Sequence, residues 1–423
     1  MKRLLLIALL CGCAGSLVDS ASLTGGGTGG SPPCSSANDC PAPAAGQAAC
    51  IAGACSYECQ GGQLKTSNGA CSTATWITAG TSHTCAVAAG EARCWGANNA
   101  GQLGRAGDPS PTFVPVKVEI PGTPPPAVTV IAAGSAHTCA IANGDVWCWG
   151  DNTSGQLGIG TVGVASGGPT PRQVTTGANA VQLVAGGAHT CYADSSAMFC
   201  WGKDDQGQVG DGALLPAPSR VVPTATAVAG ISGPSIIAAG DSHTCAIASG
   251  GVWCWGANGA GQLGIGSGTA AKSTPQSVSV SASFIGLGVN HSCAGVPGGS
   301  LSCWGANASF QVDGSGQDQN APTGAPTNGA SVVAGGTGHS CALRRTDVTC
   351  WGLNDKGQLG SGQLGHSPVD VGLLGASFVA AGFKHTCAID SGAVKCWGLN
   401  QSFQLGVGSP TDFSTAPVPV SGR

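Results

Sequence analysis

The stretch Gly134-Ser-Ala-His137-Thr-Cys139-Ala-Ile-Ala-Asn143-Gly144-Asp-Val-Trp-Cys148-Trp149-Gly150-Asp-Asn152-Thr-Ser-Gly155-Gln156-Leu157-Gly158 decides the architecture of this chain, because it recurs. Seven copies place His83, His137, His189, His243, His291, His339 and His385 two residues before Cys85, Cys139, Cys191, Cys245, Cys293, Cys341 and Cys387. A second cysteine follows nine residues on at Cys94, Cys148, Cys200, Cys254, Cys350 and Cys396, and ten on at Cys303, each running straight into Trp-Gly. The period is 46 to 54 residues, with nearly all the variation after Gln-Leu-Gly. Regular recurrence at such a period means one supersecondary unit copied and stacked.

Each pair of cysteines flanks a turn signal: Ala89-Gly90, Asn143-Gly144, Ser249-Gly250 and Ser391-Gly392 lie at the midpoints of four copies. Asn-Gly between alternating apolar residues predicts a hairpin with a two-residue loop. Counting outward, the cysteines fall at the fourth cross-strand pair, a non-hydrogen-bonded one, where the α-carbons approach to about 4.5 Å, within reach of a disulfide. Seven bridges are therefore expected inside hairpins: Cys85–Cys94, Cys139–Cys148, Cys191–Cys200, Cys245–Cys254, Cys293–Cys303, Cys341–Cys350 and Cys387–Cys396. Each is worth about 2 to 3 kcal/mol from the short loop it closes. Pairing in this way leaves no thiolates for zinc, so no metal site is expected from the His-x-Cys spacing.

Four strand-like runs occupy each unit; in the second copy they are 128–131, 137–141, 146–149 and 171–174. Seven units of four short strands describe an all-β, seven-bladed propeller of four-stranded blades. An open solenoid would expose sheet edges or need atypical end copies, whereas the first and last copies here are ordinary. Composition agrees: 72 glycines and only 9% charged residues suit short strands joined by tight turns. A net charge of −4 without a basic cluster gives no footprint for nucleic acid.

At the start, Lys2 and Arg3 precede an apolar run, Leu4 to Leu10, too short to span a bilayer. Leu10-Cys11-Gly12-Cys13 resembles the lipobox of bacterial lipoproteins, which implies a signal segment over 1–13 and lipid attachment at Cys13; a plain cleaved leader is the alternative. Either leader takes the chain out of the cytoplasm, to the cell envelope or surface when anchored and to the medium when secreted. Residues 14–33, rich in Gly, Ser and Thr, read as a flexible tether with an end-to-end distance of about 25 Å. Residues 34–72 hold Cys34, Cys40, Cys50, Cys55, Cys59 and Cys71, expected to form a small separate disulfide module whose fifteen possible pairings stay open.

The pattern Gly-x-x-His-Thr-Cys followed by Trp-Gly-x-Asn-x-x-Gly-Gln-Leu-Gly resembles the regulator of chromosome condensation repeat family over residues 76–420. That resemblance implies a seven-bladed propeller whose blades draw strands from neighbouring repeats, so that 76–79 and 417–420 would share one blade and close the ring. The residues themselves read structurally. Asn98 with Gly101 and Asn152 with Gly155 fit type I turns. The tryptophans fill space between blades with the indole N–H bonded. Each His lies opposite the Gly of Trp-Gly as a packing and hydrogen-bonding device. Departures occur at Asp204, which replaces the Asn, at Phe310 and Phe403, which replace Gly, and at Asp313, which replaces a closing Gly.

Catalysis needs a unique constellation, and here almost every His is repetitive; His366, the exception, has no neighbouring acid. Gly-x-Ser-x-Gly and phosphate-loop motifs are absent, so no catalytic residue and no cofactor is expected. Function is expected in the variable stretches on a rigid scaffold, 105–127, 159–180, 211–235, 265–283, 314–331 and 361–376. Their distinctive residues are Asp108, Phe113, Lys117, Arg172, Asp211, Arg220, Lys272 and Asp318. The leading expectation is a monomeric, lipid-anchored binding scaffold for a protein or polysaccharide. A secreted protein inhibitor of an extracellular enzyme, by analogy of fold, and a propeller lyase or hydrolase stay open as alternatives.

Overall fold

The computed structural model describes residues 47–51, 54–59, 61–175, 178–213, 219–266, 268–365 and 367–422. The leader, Cys13, the tether, Cys34, Cys40 and His366 lie outside the described residues. Seven four-stranded antiparallel sheets form the blades of a propeller. Blade 2 runs from Val128–Ala133 at the channel through His137–Ala142 and Asp145–Gly150 to Gly168–Gln173 at the rim. The other six repeat that consecutive order.

The hairpin register is the one the turn signals predict. Cys85 lies opposite Cys94 three pairs beyond Ala88 and Glu91, and His83 opposite Gly96. All seven intra-hairpin disulfides are present, with Cα–Cα distances of 4.0 to 4.1 Å. Left-handed Asn143 (φ 53°) and Gly144 (φ 87°) make the tight turn that sets this register.

The core lies between blades. One apolar cluster joins Ile141, Val146 and Leu157 of blade 2 to Leu183, Tyr192 and Trp201 of blade 3, and the other clusters bridge neighbouring blades in the same way. The two middle strands of each blade therefore bury most of both faces against neighbours, while the outermost strand stays largely exposed.

Ring closure differs from what the family resemblance implies. Ala74–Ala79 is the innermost strand of blade 1, and Phe413–Pro419 is the outermost strand of blade 7, so the chain ends do not share a sheet. Four strands already lie in sequence within each repeat, so none has to be borrowed. Closure is made by packing Ile77, Ala86 and Trp95 against Ile389, Val394 and Leu405.

A strap reinforces that junction. Val394 N–H donates to Gly62 (2.9 Å), Ala74 N–H to Gly392 (2.8 Å) and Cys59 N–H to Gly422 (3.2 Å), while Leu64 is buried in the junction core. Ser67 N–H reaches the Glu91 carboxylate (2.9 Å), and a Cys59–Cys71 disulfide closes the strap. Residues 61–73, expected within or beside a separate module, are thus built onto the propeller, with Leu64 entering the junction core. Cys50 and Cys55 face each other in register in the hairpin Gln47–Ile51 and Ala54–Glu58.

The exposed outer edges are blunted at one position. The residue before the partner of each second cysteine is Pro115, Pro171, Pro275, Pro322, Pro368 or Pro417 in six blades. Proline there removes an outward N–H that would invite another strand. Blade 3 has Ala225 instead, and there the edge is covered by a bridge between Ile159 of blade 2 and Thr224.

Candidate functional site

The ring has two unlike ends. At one lie the tight hairpin turns; at the other the third strand enters the Asn-x-x-Gly-Gln-Leu-Gly loop, beside the glycine turns that frame the channel mouth. We call these the hairpin end and the loop end.

Each loop is a clamp built from the repeated residues. Asn152 Oδ1 accepts the Leu157 N–H (3.0 Å), Gly155 N–H donates to the Asn152 carbonyl (3.1 Å), and Asn152 Nδ2 holds the returning chain at Thr161 (2.8 Å). The Gln156 carbonyl, thereby fixed, accepts both the Trp201 indole N–H (2.8 Å) and the Thr190 hydroxyl (3.0 Å) of the next blade. The same pair of bonds recurs at each interface, including Trp95 and Thr84 of blade 1 to Gln404 of blade 7 (2.9 and 2.8 Å).

The histidines complete this network. His83 Nε2 contacts Thr138 Oγ1 (2.9 Å), His137 contacts Thr190 (2.9 Å), and so on round the wheel until His385 meets Thr84 (2.9 Å). Since each hydroxyl hydrogen goes to a Gln carbonyl, the hydroxyl oxygen accepts from the imidazole, which assigns the proton to Nε2. Burial drives all seven imidazoles well below their ordinary value of 6.5, to about 4 at His83, His189 and His291 and to about 3 at His137, His243, His339 and His385. They are neutral in the folded protein.

A hydroxyl beside an imidazole is the arrangement of an activated nucleophile, but its polarity here is reversed: the imidazole donates instead of accepting. Every member is also fully buried. The glycine three residues upstream explains the seal. A Cβ on Gly240 would lie 2.2 Å from His243 Cε1 and 2.5 Å from the Gly288 carbonyl of the next blade. No side chain can stand between ring and channel.

The departures resolve individually. Asp204 takes the place of the clamp Asn and is fully buried; lacking the side-chain N–H with which Asn holds its loop, it receives the Arg220 guanidinium, which also pairs with Asp211 (2.6 Å). Arg220→Ala would strand the Asp204 carboxylate and is expected to cost about 3 kcal/mol in urea unfolding. Asp204→Asn should recover most of that loss in the double variant; no recovery would contradict the pairing. Asp313 accepts Asn307 Nδ2 (2.7 Å) within its own clamp. Phe310 (φ 63°) and Phe403 (φ 65°) hold left-handed positions that glycines occupy elsewhere. In other copies the next blade crowds that site: a Cβ on Gly261 would lie 2.6 Å from Asn320. Phe403 instead meets Phe113 edge-on, centroids 5.9 Å apart.

The variable stretches run from the loop end along the outer strand to the hairpin end, so they do not form one rim. Asp108, Phe113, Asp211, Arg220, Lys272 and Asp318 lie toward the loop end, and Lys117 and Arg172 toward the hairpin end. Arg220 and Asp211 are absorbed in the Asp204 clamp, Asp318 accepts the Asn307 N–H (2.9 Å), and Asp108 pairs with Arg105 (3.1 Å). Sequence reasoning missed the loop-end aromatics Phe310, Phe383 and Phe413, each 40% exposed or more. The signal was the replacement of Gly by Phe at position 310.

Among known proteins, the family profile of the RCC1-like domain matches residues 56–371. The ultraviolet-B receptor UVR8 of Arabidopsis thaliana is 37% identical over 151 residues, 34% of this chain and 32% of the receptor. The probable E3 ubiquitin-protein ligase HERC4 of Homo sapiens is 36% identical over 140 residues, 32% of this chain and 13% of the ligase. The chain thus spans about a third or less of these relatives' length. Among solved structures, human WBSCR16 superposes with a TM-score of 0.68 at 21% identity, covering 78% of this chain and 93% of that one. Yeast RCC1 (Prp20), solved with Kap60 bound, gives 0.66 at 21% identity, covering 78% and 83%.

Proposed function

Because this chain belongs to the RCC1-like domain family, we propose that it is a non-catalytic binding scaffold, lipid-anchored at Cys13 outside the cytoplasm, that engages a macromolecular ligand through its loop end. The observation that carries this reading is that each repeated His, Thr or Ser and Trp is spent on a bond to a neighbouring blade. The imidazoles, hydroxyls and indoles that recur seven times are buried and bonded across blades, leaving side chains on a rigid frame to do the work of recognition. The leader and the hairpin disulfides support an oxidising location.

A protein ligand is favoured over a polysaccharide, since a protein is bound to yeast RCC1 in its structure and since exposed Phe113, Phe310, Phe383 and Phe413 sit at this end. The test uses the displayed protein with 105–111 and 159–166 replaced by short turns. Loss of partner capture with hairpin disulfides intact is expected, and undiminished capture would defeat the reading. Membrane fractionation of Cys13→Ala beside the parent checks the anchor: the variant should move to the soluble fraction.

A further inference from the structure

The charge of the propeller is not shared evenly between its ends. Over residues 61–422 the loop end carries ten carboxylates and six basic residues, the hairpin end seven of each, so the whole negative excess falls on the loop end. Four of the six loop-end bases are already spent. Arg105 pairs with Asp108 (3.1 Å), Lys203 with Asp205 (2.9 Å), Lys384 with Asp355 (2.7 Å), and Arg220 with Asp204 and Asp211. Among the described residues that leaves Asp151, Asp241, Asp313, Asp318 and Asp412 with no cation within ion-pair distance.

Of these five, Asp241 lines the channel mouth, whose turns have no main-chain donors to spare, and the others stand on the surrounding loops of the same end. Ser135 N–H donates to Gly187 (3.1 Å), Gly187 to Asp241 (3.0 Å), Val289 to Gly336 (3.1 Å) and Thr337 to Phe383 (3.1 Å), each bond crossing to the next blade. The cavity inside this belt, about 100 Å³, has no Lys, Arg or His among its lining residues. Asp241 stands over its edge: a Cβ on Gly187 would lie 2.2 Å from Asp241 Oδ1, so the missing side chain makes the carboxylate's room. Half-exposed Phe383 lines the same mouth, and Phe310 and Phe413 lie further out. Carboxylates interspersed with aromatic faces suit long basic side chains, whose charged heads meet the acids while their stems or cations cover the rings.

We infer that the loop end is the docking face and that its partner is a protein surface rich in lysine and arginine. This rests on the scaffold reading and specifies its ligand. An anionic polysaccharide would be repelled here, and a neutral one would leave the unpaired acids unanswered.

The test titrates the oxidised full chain with a capped peptide of alternating lysine and glycine and with its glutamate counterpart, by calorimetry. Binding of the lysine peptide alone is expected at about 20 mM salt, weakening steeply toward 0.3 M as the charges are screened. The triple variant D241N/D318N/D412N should weaken it about tenfold, three surface charges being removed. The hairpin-end variant E119Q/D145N should stay within about twofold on the same grounds. No binding of the lysine peptide at low salt, or equal losses in both variants, overturns the proposal. A partner captured by the displayed protein, lost on loop replacement yet indifferent to the triple variant, would remove the charge assignment and leave the scaffold reading standing.

Discussion

Acidification from pH 6.5 to pH 5 will destabilise the oxidised propeller by on the order of 10 kcal/mol, with uptake of about six to seven protons per molecule unfolded near the lower limit. The cause is the histidine ring. In the unfolded chain an imidazole titrates near 6.5, while in the folded wheel burial lowers the seven to about 3 or 4. A group whose folded value is lowered contributes stability that is fully present above its unfolded value and is lost as pH falls toward the folded one. Below 6.5 the unfolded chain therefore binds protons that the folded chain refuses, at up to about 1.4 kcal/mol per histidine per pH unit. Carboxylates act lower down. Glu91, where the Ser67 hydrogen bonds outweigh desolvation to hold it below 4.5, responds beneath that value and not in this window. Urea unfolding at several pH values, paired with proton-uptake calorimetry, reads the effect. Stability that stays level between pH 6.5 and 5 would mean the imidazoles are not held neutral.

Trp255→Ala in the middle of the ring is expected to cost about 3 to 5 kcal/mol, the range for deleting a large buried aromatic. The indole is fully buried among Val209, Val222, Ile237 and Ala246, and its N–H reaches the Gln208 carbonyl of blade 3 (3.0 Å). A Cβ on Gly210 would lie only 2.5 Å from Trp255 Nε1, which shows how closely the loop of one blade lies on the ring of the next. Trp255→Phe separates packing from hydrogen bonding. It keeps most of the ring but loses the donor, and should cost about 1 to 2 kcal/mol, the Thr244 hydroxyl still serving the carbonyl (2.9 Å). Thermal and urea unfolding of the two variants give the ordering. Equal losses would place the whole effect in the bond; an alanine variant within 1 kcal/mol of the parent would show that blades do not depend on the plug.

The residues differ in how readable they were. The clamp Asn, the turn Gly and the buried Trp each follow from type I turn chemistry and apolar recurrence, and the structure finds them in those roles. In the sequence Arg220 is a candidate ligand contact because it is one of the few distinctive residues in the variable stretches. It belongs to Asp204, sixteen residues away, and only the folded loop brings the two together. The closure of the ring was misread for a related reason: which strand completes a sheet is settled by packing between repeats, and the repeat pattern is the same whether blades are shared or not.

What the sequence alone determined is what lies within one repeat. A two-residue turn sets the register of its hairpin, and with it each disulfide and the placing of His opposite Gly, because partners nine or ten residues apart have almost no other way to meet. What only the tertiary structure decided lies between repeats: the imidazole of His385 on the hydroxyl of Thr84 across the closing seam, the strap from Cys59 to Cys71 over that seam, and the gathering of unpaired acids at one end. Those contacts depend on how seven rigid units pack into a closed circle, and that geometry brings together groups hundreds of residues apart that no local pattern links.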